Sequence, residues 1–139
     1  MPDPKRFTDL ADAMAAMDIA ILSTVTSDGS IAGRPMSNNA QVEYDGTSYY
    51  FTTEDTRTVG DVKANPNVGL GFQGSDGFYL AVEGRAELVR DKAAFREHWT
   101  PDLDKWFNDG IDTDGLVLVK VVADRAHYWA GRDEGEITV

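Results

Sequence analysis

The chain has 139 residues, of which 42% are apolar and 27% charged, as expected of one soluble globular domain rather than a disordered segment. Thirteen Lys and Arg against 24 Asp and Glu give a net charge of −11, which argues against non-specific nucleic-acid binding and against an anionic membrane surface. There is no cysteine, no apolar run near the roughly 20 residues of a membrane helix and no signal segment, so we expect a cytoplasmic protein without disulfides or Cys-ligated metals.

The first third of the chain predicts one helix and two hairpins. Apolar residues recur at helical spacing over residues 5–17. Asp-Gly pairs then separate short β-forming runs, because Gly tolerates the positive φ that a tight turn requires. The predicted strands of these hairpins are residues 19–26, 31–37, 41–44 and 48–53. Pro35 cannot donate to a ladder, which places the second strand at an edge or at a bulge.

The middle of the chain predicts a short helix followed by a third hairpin. The helix covers residues 56–65 and ends at an Asn-Pro pair. Gly60 inside it costs ~1 kcal/mol relative to Ala, and we interpret it as permitting close approach of the helix to a strand. The hairpin strands are residues 68–73 and 78–90, with Gly84 as a bulge or bend.

The last third predicts two helices, two short strands and a tail. Asp91 can cap the first helix, and Thr100 caps a second one that has Pro101 at its first position. The strands are residues 116–122 and 126–130. Residues 131–139 are expected to form a tail that can reach a partner subunit.

These elements predict one domain over residues 1–139, mainly β. Six or seven antiparallel strands in a chain of this length are expected to close into a small barrel, because closure removes the open sheet edges. The predicted helices then cover the mouth and one side of the barrel.

The stretch from residue 34 to residue 58 carries the main functional hypothesis. Two arginines and four threonines gather at one strand-to-helix corner: Arg34, Thr52, Thr53, Thr56, Arg57 and Thr58. A helix N-terminus favours an anion and a guanidinium offers a fork of donors, so the corner suits the phosphate of a nucleotide-like cofactor such as flavin mononucleotide (FMN). The alternative is that Thr56 is only an N-cap and that both arginines are solvated surface charges.

Four segments, in this order and spacing, resemble the pyridoxamine 5′-phosphate oxidase-like superfamily of flavin-binding split barrels. Within it the chain is most similar to the general stress protein branch. The segments are Gly33-Arg34-Pro35-Met36-Ser37; Phe51 to Thr58 with Asn65-Pro66-Asn67-Val68; Val82-Glu83-Gly84-Arg85-Ala86; and the tryptophan-rich stretches at residues 99–101, 106–110 and 127–129. Together they cover nearly the whole chain.

The resemblance implies a Greek-key split-barrel homodimer with FMN in clefts between the subunits. By position it implies that Arg34 lies at the phosphate side of the cofactor and that the next three residues run beside the isoalloxazine ring. Trp129 is implied to line the ring from the C-terminal side. The full implied set of cofactor-binding residues is Arg34, Pro35, Met36, Ser37, Phe51, Thr52, Thr53, Thr56, Arg57, Thr58 and Trp129.

Two departures from the family pattern bear on function. Thr58 stands where the family often has Lys, which removes a charge-assisted contact of ~1.5–3 kcal/mol and predicts weak flavin affinity. Tyr79 stands where the oxidase itself has a cofactor-contacting Gln, and the oxidase's basic substrate-binding residues near its C-terminus are not evident. Vitamin B6 oxidation is therefore not expected.

Three functions remain open from the sequence. The first is a flavin-dependent oxidoreductase, in which the cofactor supplies the redox chemistry. The second is a non-catalytic flavin-binding stress protein. The third is a split barrel that uses a deazaflavin or haem; the candidate ligands of a haem are His98 and His127, although each is more typical of a packing or surface residue. The aromatic residues at 99, 106 and 107 are interpreted as core or dimer packing, with a substrate lid as the alternative.

Overall fold

The computed structural model describes residues 11–14, 17, 19–37, 45–74 and 77–138. The strands are β1 (Ile19–Val25), β2 (Ile31–Ser37), β3 (Thr47–Thr53), β4 (Asn67–Gln73), β5 (Phe78–Val89), β6 (Leu116–Ala130) and β7 (Asp133–Thr138). The α-helices are α1 (Arg57–Ala64) and α2 (Lys92–His98), and two 3-10 helices cover Pro101–Lys105 and Gly110–Asp112. Residues 11–14 are helical. The rest of the helix predicted at 5–17 and the strand predicted at 41–44 lie largely outside the described residues.

The strands form one antiparallel sheet in the order β2-β1-β4-β5-β6-β3, and β7 pairs with β6 beside β3. The predicted mainly β, antiparallel architecture is confirmed. β2 lies at one end of the order, which confirms the edge position expected from Pro35. Gly29 and Gly46 have φ of +85° and +104°, as the Asp-Gly turns predict.

Alternating side chains on the inner face of the sheet build the main core. Phe78, Leu80 and Val82 alternate inward along β5, and each is at most 2% exposed. On β1 the inward positions are Ala20, Leu22 and Thr24, all buried. A second apolar cluster lies around Phe51 and Phe95, between β3 and α2. This second cluster positions the aromatic segment that follows α2.

Gly84 marks an irregularity in the longest ladder, as predicted. The β5–β6 register shifts between Glu83 and Gly84. A Cβ on Gly84 would lie 2.3 Å from the Val122 carbonyl oxygen, so only Gly allows this approach of the two strands. The interpretation of Gly60 is wrong, because a Cβ there would meet nothing within 4 Å.

Three predictions in the last third of the chain are wrong. β6 is one strand of 15 residues rather than two, because the bulge near Gly84 absorbs the polar interruption at Asp124 and Arg125. The predicted tail forms β7, whose ladder with β6 runs from Ala130↔Asp133 to Arg125↔Thr138. The second predicted helix is the 3-10 helix Pro101–Lys105, too short for an α-helix. Among the described residues no helix is long and apolar enough to span a membrane.

Candidate functional site

Arg34 lies on the inward side of β2 and reaches across β1. It is opposite Leu22 in the β1–β2 ladder. Its Nη1 donates to the Thr24 Oγ1 at 2.8 Å and to the Leu22 carbonyl oxygen at 3.3 Å. The side chain is only 19% exposed. Arg34 is therefore a largely buried guanidinium with a defined orientation, rather than a solvated surface charge.

Asp61 on α1 is the group on which both arginines converge. It is 7% exposed and its Oδ2 accepts a hydrogen bond from the Thr24 Oγ1 at 2.8 Å. The same oxygen lies 3.5 Å from Nη2 of Arg34 and 3.8 Å from Nε of Arg57. Arg57 is mostly exposed. Two guanidiniums and one carboxylate leave this corner with one net positive charge.

Sequence reasoning missed Asp61 and Thr24. Asp61 follows Arg57 by four residues on a predicted helix, and this spacing places the two side chains on the same face. That signal was available. Thr24 offered none, because its contact with Asp61 depends on how α1 packs against β1, 37 residues away in the chain.

The threonines form the second part of the corner, at the start of α1. The Thr52 Oγ1 donates to the Thr56 Oγ1 at 3.2 Å, and the Thr56 Oγ1 donates to the Thr53 carbonyl oxygen at 2.9 Å. Thr56 occupies the predicted N-cap position, but its side chain makes no capping hydrogen bond. Thr58 is buried on α1. The partial positive charge of the helix N-terminus is thus not offset by the Thr56 hydroxyl.

An apolar cleft of about 440 Å³ opens between β2 and β3, the two end strands of the sheet order. It adjoins the corner, because Met36 shares a face of β2 with Arg34, and Phe51 immediately precedes Thr52. The described lining residues are Ile19, Pro35, Met36, Ser37, Tyr49, Tyr50, Phe51, His98, Leu103, Trp106 and Phe107. The chain thus brings the predicted residues Pro35, Met36, Ser37 and Phe51 together in one cleft.

Aromatic packing fixes the wall of the cleft that faces α2. The rings of Tyr49 and His98 stack with centroids 3.6 Å apart and planes 16° apart. The Trp99 ring packs edge-on against Phe51, with centroids 5.0 Å apart, and at a tilt against Phe107, with centroids 5.8 Å apart. The pKa of the Tyr49 phenol is raised by burial and then by the Asp45 and Glu97 carboxylates. Tyr49 is therefore a neutral hydroxyl at physiological pH.

Trp129 and His127 lie on the outer face of the sheet, opposite the face that carries Arg34. Their rings stack with centroids 4.4 Å apart. The His127 Nε2 lies 3.0 Å from a Glu134 carboxylate oxygen. Within one chain, Trp129 is not among the described residues that line the cleft. Among the described residues no group of His, Asp and Glu has the arrangement of a metal site.

A family described as "Pyridoxamine 5'-phosphate oxidase like" matches the chain over residues 5–139. Protein bli-3 of Neurospora crassa is 28% identical over 141 residues, which cover 92% of this chain and 66% of that protein. General stress protein 26 of Bacillus subtilis is 29% identical over 94 residues, 64% of this chain and 66% of that protein. The chain thus spans slightly less than two thirds of the length of each relative.

Solved structures share the fold. A protein from Clostridium acetobutylicum, described as related to general stress protein 26, is 20% identical with a TM-score of 0.84 over 99% of this chain and 97% of its own. A haem-binding protein from Mycobacterium smegmatis is 13% identical with a TM-score of 0.78 over 99% of this chain and 60% of its own. At these identities the likeness shows a common split-barrel fold and no more.

Proposed function

Because the chain belongs to the pyridoxamine 5′-phosphate oxidase-like family, we propose that it binds FMN and acts as a flavin-dependent oxidoreductase of the general stress protein type. The observation that carries the proposal is the position of a positively charged corner directly beside an apolar cleft. A flavin mononucleotide has the same two parts, a phosphate and a flat apolar ring system.

The residues present fit both parts of FMN. For the phosphate, Arg34, Arg57 and the N-terminus of α1 supply positive charge, and Thr52 and Thr56 supply hydroxyls. For the ring, β2 from Pro35 to Ser37 forms one wall of the cleft. Asp61 partly disfavours phosphate binding, because its carboxylate already forms an ion pair with the guanidinium of Arg34 at 3.5 Å.

In this proposal the chain's own residues bind and orient the cofactor. FMN would supply hydride transfer at its ring when bound. The apolar lining of the cleft would exclude water from the ring, and the charged corner would hold the phosphate end in place. That chemistry requires no acid–base residue of the protein. The described lining of the cleft agrees with this, because it contains no carboxylate and no lysine, and His98 is its only histidine.

We further propose a homodimer with the cofactor at the subunit interface. The outer face of the sheet exposes Ile19 and Ile21, at 52% and 45%, beside the small residues Gly71 and Ala81 on the neighbouring strands. A flat apolar patch of this kind is suited to a second copy of the chain in a two-fold dimer. Trp129 lies on the same outer face, so a second copy is the route by which it would approach a flavin.

Titration of purified protein with FMN and with riboflavin tests the phosphate corner. Riboflavin is the matched ligand, because it has the same ring and lacks the phosphate. We expect Arg34→Ala to weaken FMN binding roughly tenfold or more and to leave riboflavin binding unchanged. Arg85→Ala is the control, since Arg85 is 64% exposed and pairs with Asp124 outside the site. Unchanged FMN affinity in Arg34→Ala removes Arg34 from the site, and no FMN binding at all refutes the proposal.

Two further measurements separate the alternatives. Steady-state oxidation of NADH or NADPH by FMN-loaded protein supports the oxidoreductase, and its absence across several electron acceptors supports a flavin-binding protein without turnover. The haem-binding relative in fold motivates a parallel titration with haem and with a deazaflavin. A haem spectrum that changes on binding and that His98→Ala abolishes would favour haem over flavin.

A further inference from the structure

The wall of the cleft that faces α2 differs in chemistry from the Arg34 corner. Its wall is formed by the stacked rings of Tyr49 and His98 and by Leu103, Trp106 and Phe107 from the segment after α2. The whole cleft, of which this wall is one side and β2 another, has a volume of about 440 Å³, within the range of small-molecule sites in proteins. The aromatic rings lining it suit a flat ligand.

The charges around this wall disfavour an anionic ligand. None of the described lining residues is Lys, Arg, Asp or Glu. The 3-10 helix that contributes Leu103 carries Asp102 and Asp104, and the nearby Lys105 lies 4.0 Å from the Asp102 carboxylate. An anion bound against this wall would lose its hydration without a Lys or Arg partner among the described lining residues. A phosphorylated substrate is therefore a poor fit at this wall.

The polar groups at this wall suit a carbonyl oxygen. Tyr49 is a neutral phenol and so can donate a hydrogen bond, and His98 has a ring nitrogen that can do so. The His98 side chain is 18% exposed, and its Nε2 lies 3.9 Å from a carboxylate oxygen of Glu97. The lining thus combines flat apolar surfaces with a small number of hydrogen-bond donors.

Trp106 gives an independent indication that the cleft receives a ligand. It is 72% exposed, whereas Trp99 in the same segment packs against Phe51 and donates its Nε1–H to Asp104 at 3.0 Å. A large exposed indole at the rim of an apolar cleft is a common feature of binding surfaces, because it offers contact area at little entropic cost.

We propose that the wall formed by Tyr49, His98 and Trp106 binds an uncharged aromatic carbonyl compound of about the size of a naphthoquinone. The role of that compound as a substrate rests on the proposed flavin function, whereas the proposal that it binds here does not depend on a flavin. The site would take the neutral compound in preference to an anionic analogue of the same size.

The test compares 2-methyl-1,4-naphthoquinone with 1,4-naphthoquinone-2-sulfonate by equilibrium dialysis. The absence of cysteine removes the usual side reaction of quinones with thiols. We expect the neutral probe to bind roughly tenfold more tightly than the sulfonate, because the buried sulfonate would lack a counter-ion. Equal binding of both probes, tighter binding of the sulfonate, or no binding of either overturns the proposal.

Two variants locate the bound probe. Trp106→Ala should weaken binding of the neutral probe about fivefold or more, and the exposure of Trp106 means that the variant should fold normally. His98→Phe keeps an aromatic ring beside Tyr49 but removes the ring nitrogens, so it should weaken binding as well. Asn108→Ala is the matched control, since Asn108 is exposed in the same segment and does not line the cleft. Unchanged affinity in both Trp106→Ala and His98→Phe overturns the proposal.

The same dialysis with FMN-saturated protein separates this proposal from the flavin proposal. Simultaneous binding of FMN and the neutral probe supports a second ligand site. Competition between them overturns it, because the flavin ring would then occupy this wall. If the neutral probe binds with the expected selectivity and FMN does not bind, the second-ligand proposal stands and the flavin proposal fails.

Discussion

Replacement of Asp61 by Asn is expected to change folding stability and phosphate affinity in opposite directions. In the folded protein the Asp61 carboxylate accepts from Thr24 at 2.8 Å and faces Arg34 at 3.5 Å, with 9% of its side chain exposed. Asn keeps the shape and one acceptor oxygen but removes the charge. Arg34 keeps its bonds to Thr24 and to the Leu22 carbonyl oxygen, so its position should be retained.

The magnitude of the stability loss follows from the contacts that become neutral. A hydrogen bond to a charged group contributes about 1.5–3 kcal/mol, against about 1 kcal/mol for a neutral one. Loss of charge on the Thr24 contact and on the Arg34 pair should therefore lower the free energy of unfolding by roughly 1–3 kcal/mol. Urea denaturation measures this loss.

The gain in phosphate affinity follows from the same change. With Asp61 present, a ligand phosphate must share the Arg34 guanidinium with a carboxylate, and the corner carries one net positive charge. Without that carboxylate the corner carries two, and we expect FMN to bind roughly five- to tenfold more tightly while riboflavin binding stays unchanged. The gain should shrink as salt is added.

The exposed residue Asp109 provides the charge-matched control, and Asp109→Asn should change neither quantity. Weaker FMN binding in Asp61→Asn would refute the reasoning, because it would mean that Asp61 orients Arg34 for the ligand rather than competing with the ligand. Unchanged stability would also contradict it, since the buried contacts would then contribute nothing.

Two further predictions concern the fold. Gly84→Ala should destabilise the protein by roughly 1–3 kcal/mol or more, because its Cβ would lie 2.3 Å from the Val122 carbonyl oxygen, whereas Gly60→Ala should stabilise it by up to ~1 kcal/mol. A urea midpoint for Gly84→Ala equal to that of wild type would contradict the first expectation, and a midpoint for Gly60→Ala below that of wild type would contradict the second. The pKa of Asp28 is lowered from 3.8 to about 2, first by the Thr26 hydroxyl. The stability that the ionised Asp28 carboxylate contributes is therefore intact above about pH 4 and is lost as the pH falls toward 2. Over that interval the free energy of unfolding of the wild type should fall more than that of Asp28→Asn. Parallel curves of unfolding free energy against pH for the two proteins would refute this.

The sequence was most informative where one residue type determines the local backbone. Gly29 and Gly46 adopt the positive φ that the Asp-Gly turns require, and Pro35 lies on an edge strand. The sequence was least informative where pairing with a distant strand determines the secondary structure. The polar, acidic run of β7 has Ile137 as its one buried apolar side chain and is a strand because it pairs with β6.

The candidate site shows the same division. Arg34, Thr52 and Thr56 could be proposed from their types and their order in the chain. The pairing of Asp61 with Arg57 could also have been proposed from their i,i+4 spacing, but the contacts of Asp61 with Thr24 and Arg34 could not, because they depend on how α1 packs against the β1–β2 hairpin. The cleft could not be predicted from the local sequence either, because it forms only where β2 and β3 face each other in the folded chain.

The pairing of β3 has a consequence for the way the chain is synthesised. Among the described strands β3 pairs only with β6, at residues 116–122. A chain truncated after residue 115 contains β1, β2, β4 and β5, which pair with one another, while β3 lacks β6, its partner among the described strands. Its run Tyr49-Tyr50-Phe51 is then an open edge able to pair with other chains. Pairing with residues 116–122 ends that exposure, so chains that terminate before residue 116 should be prone to aggregation.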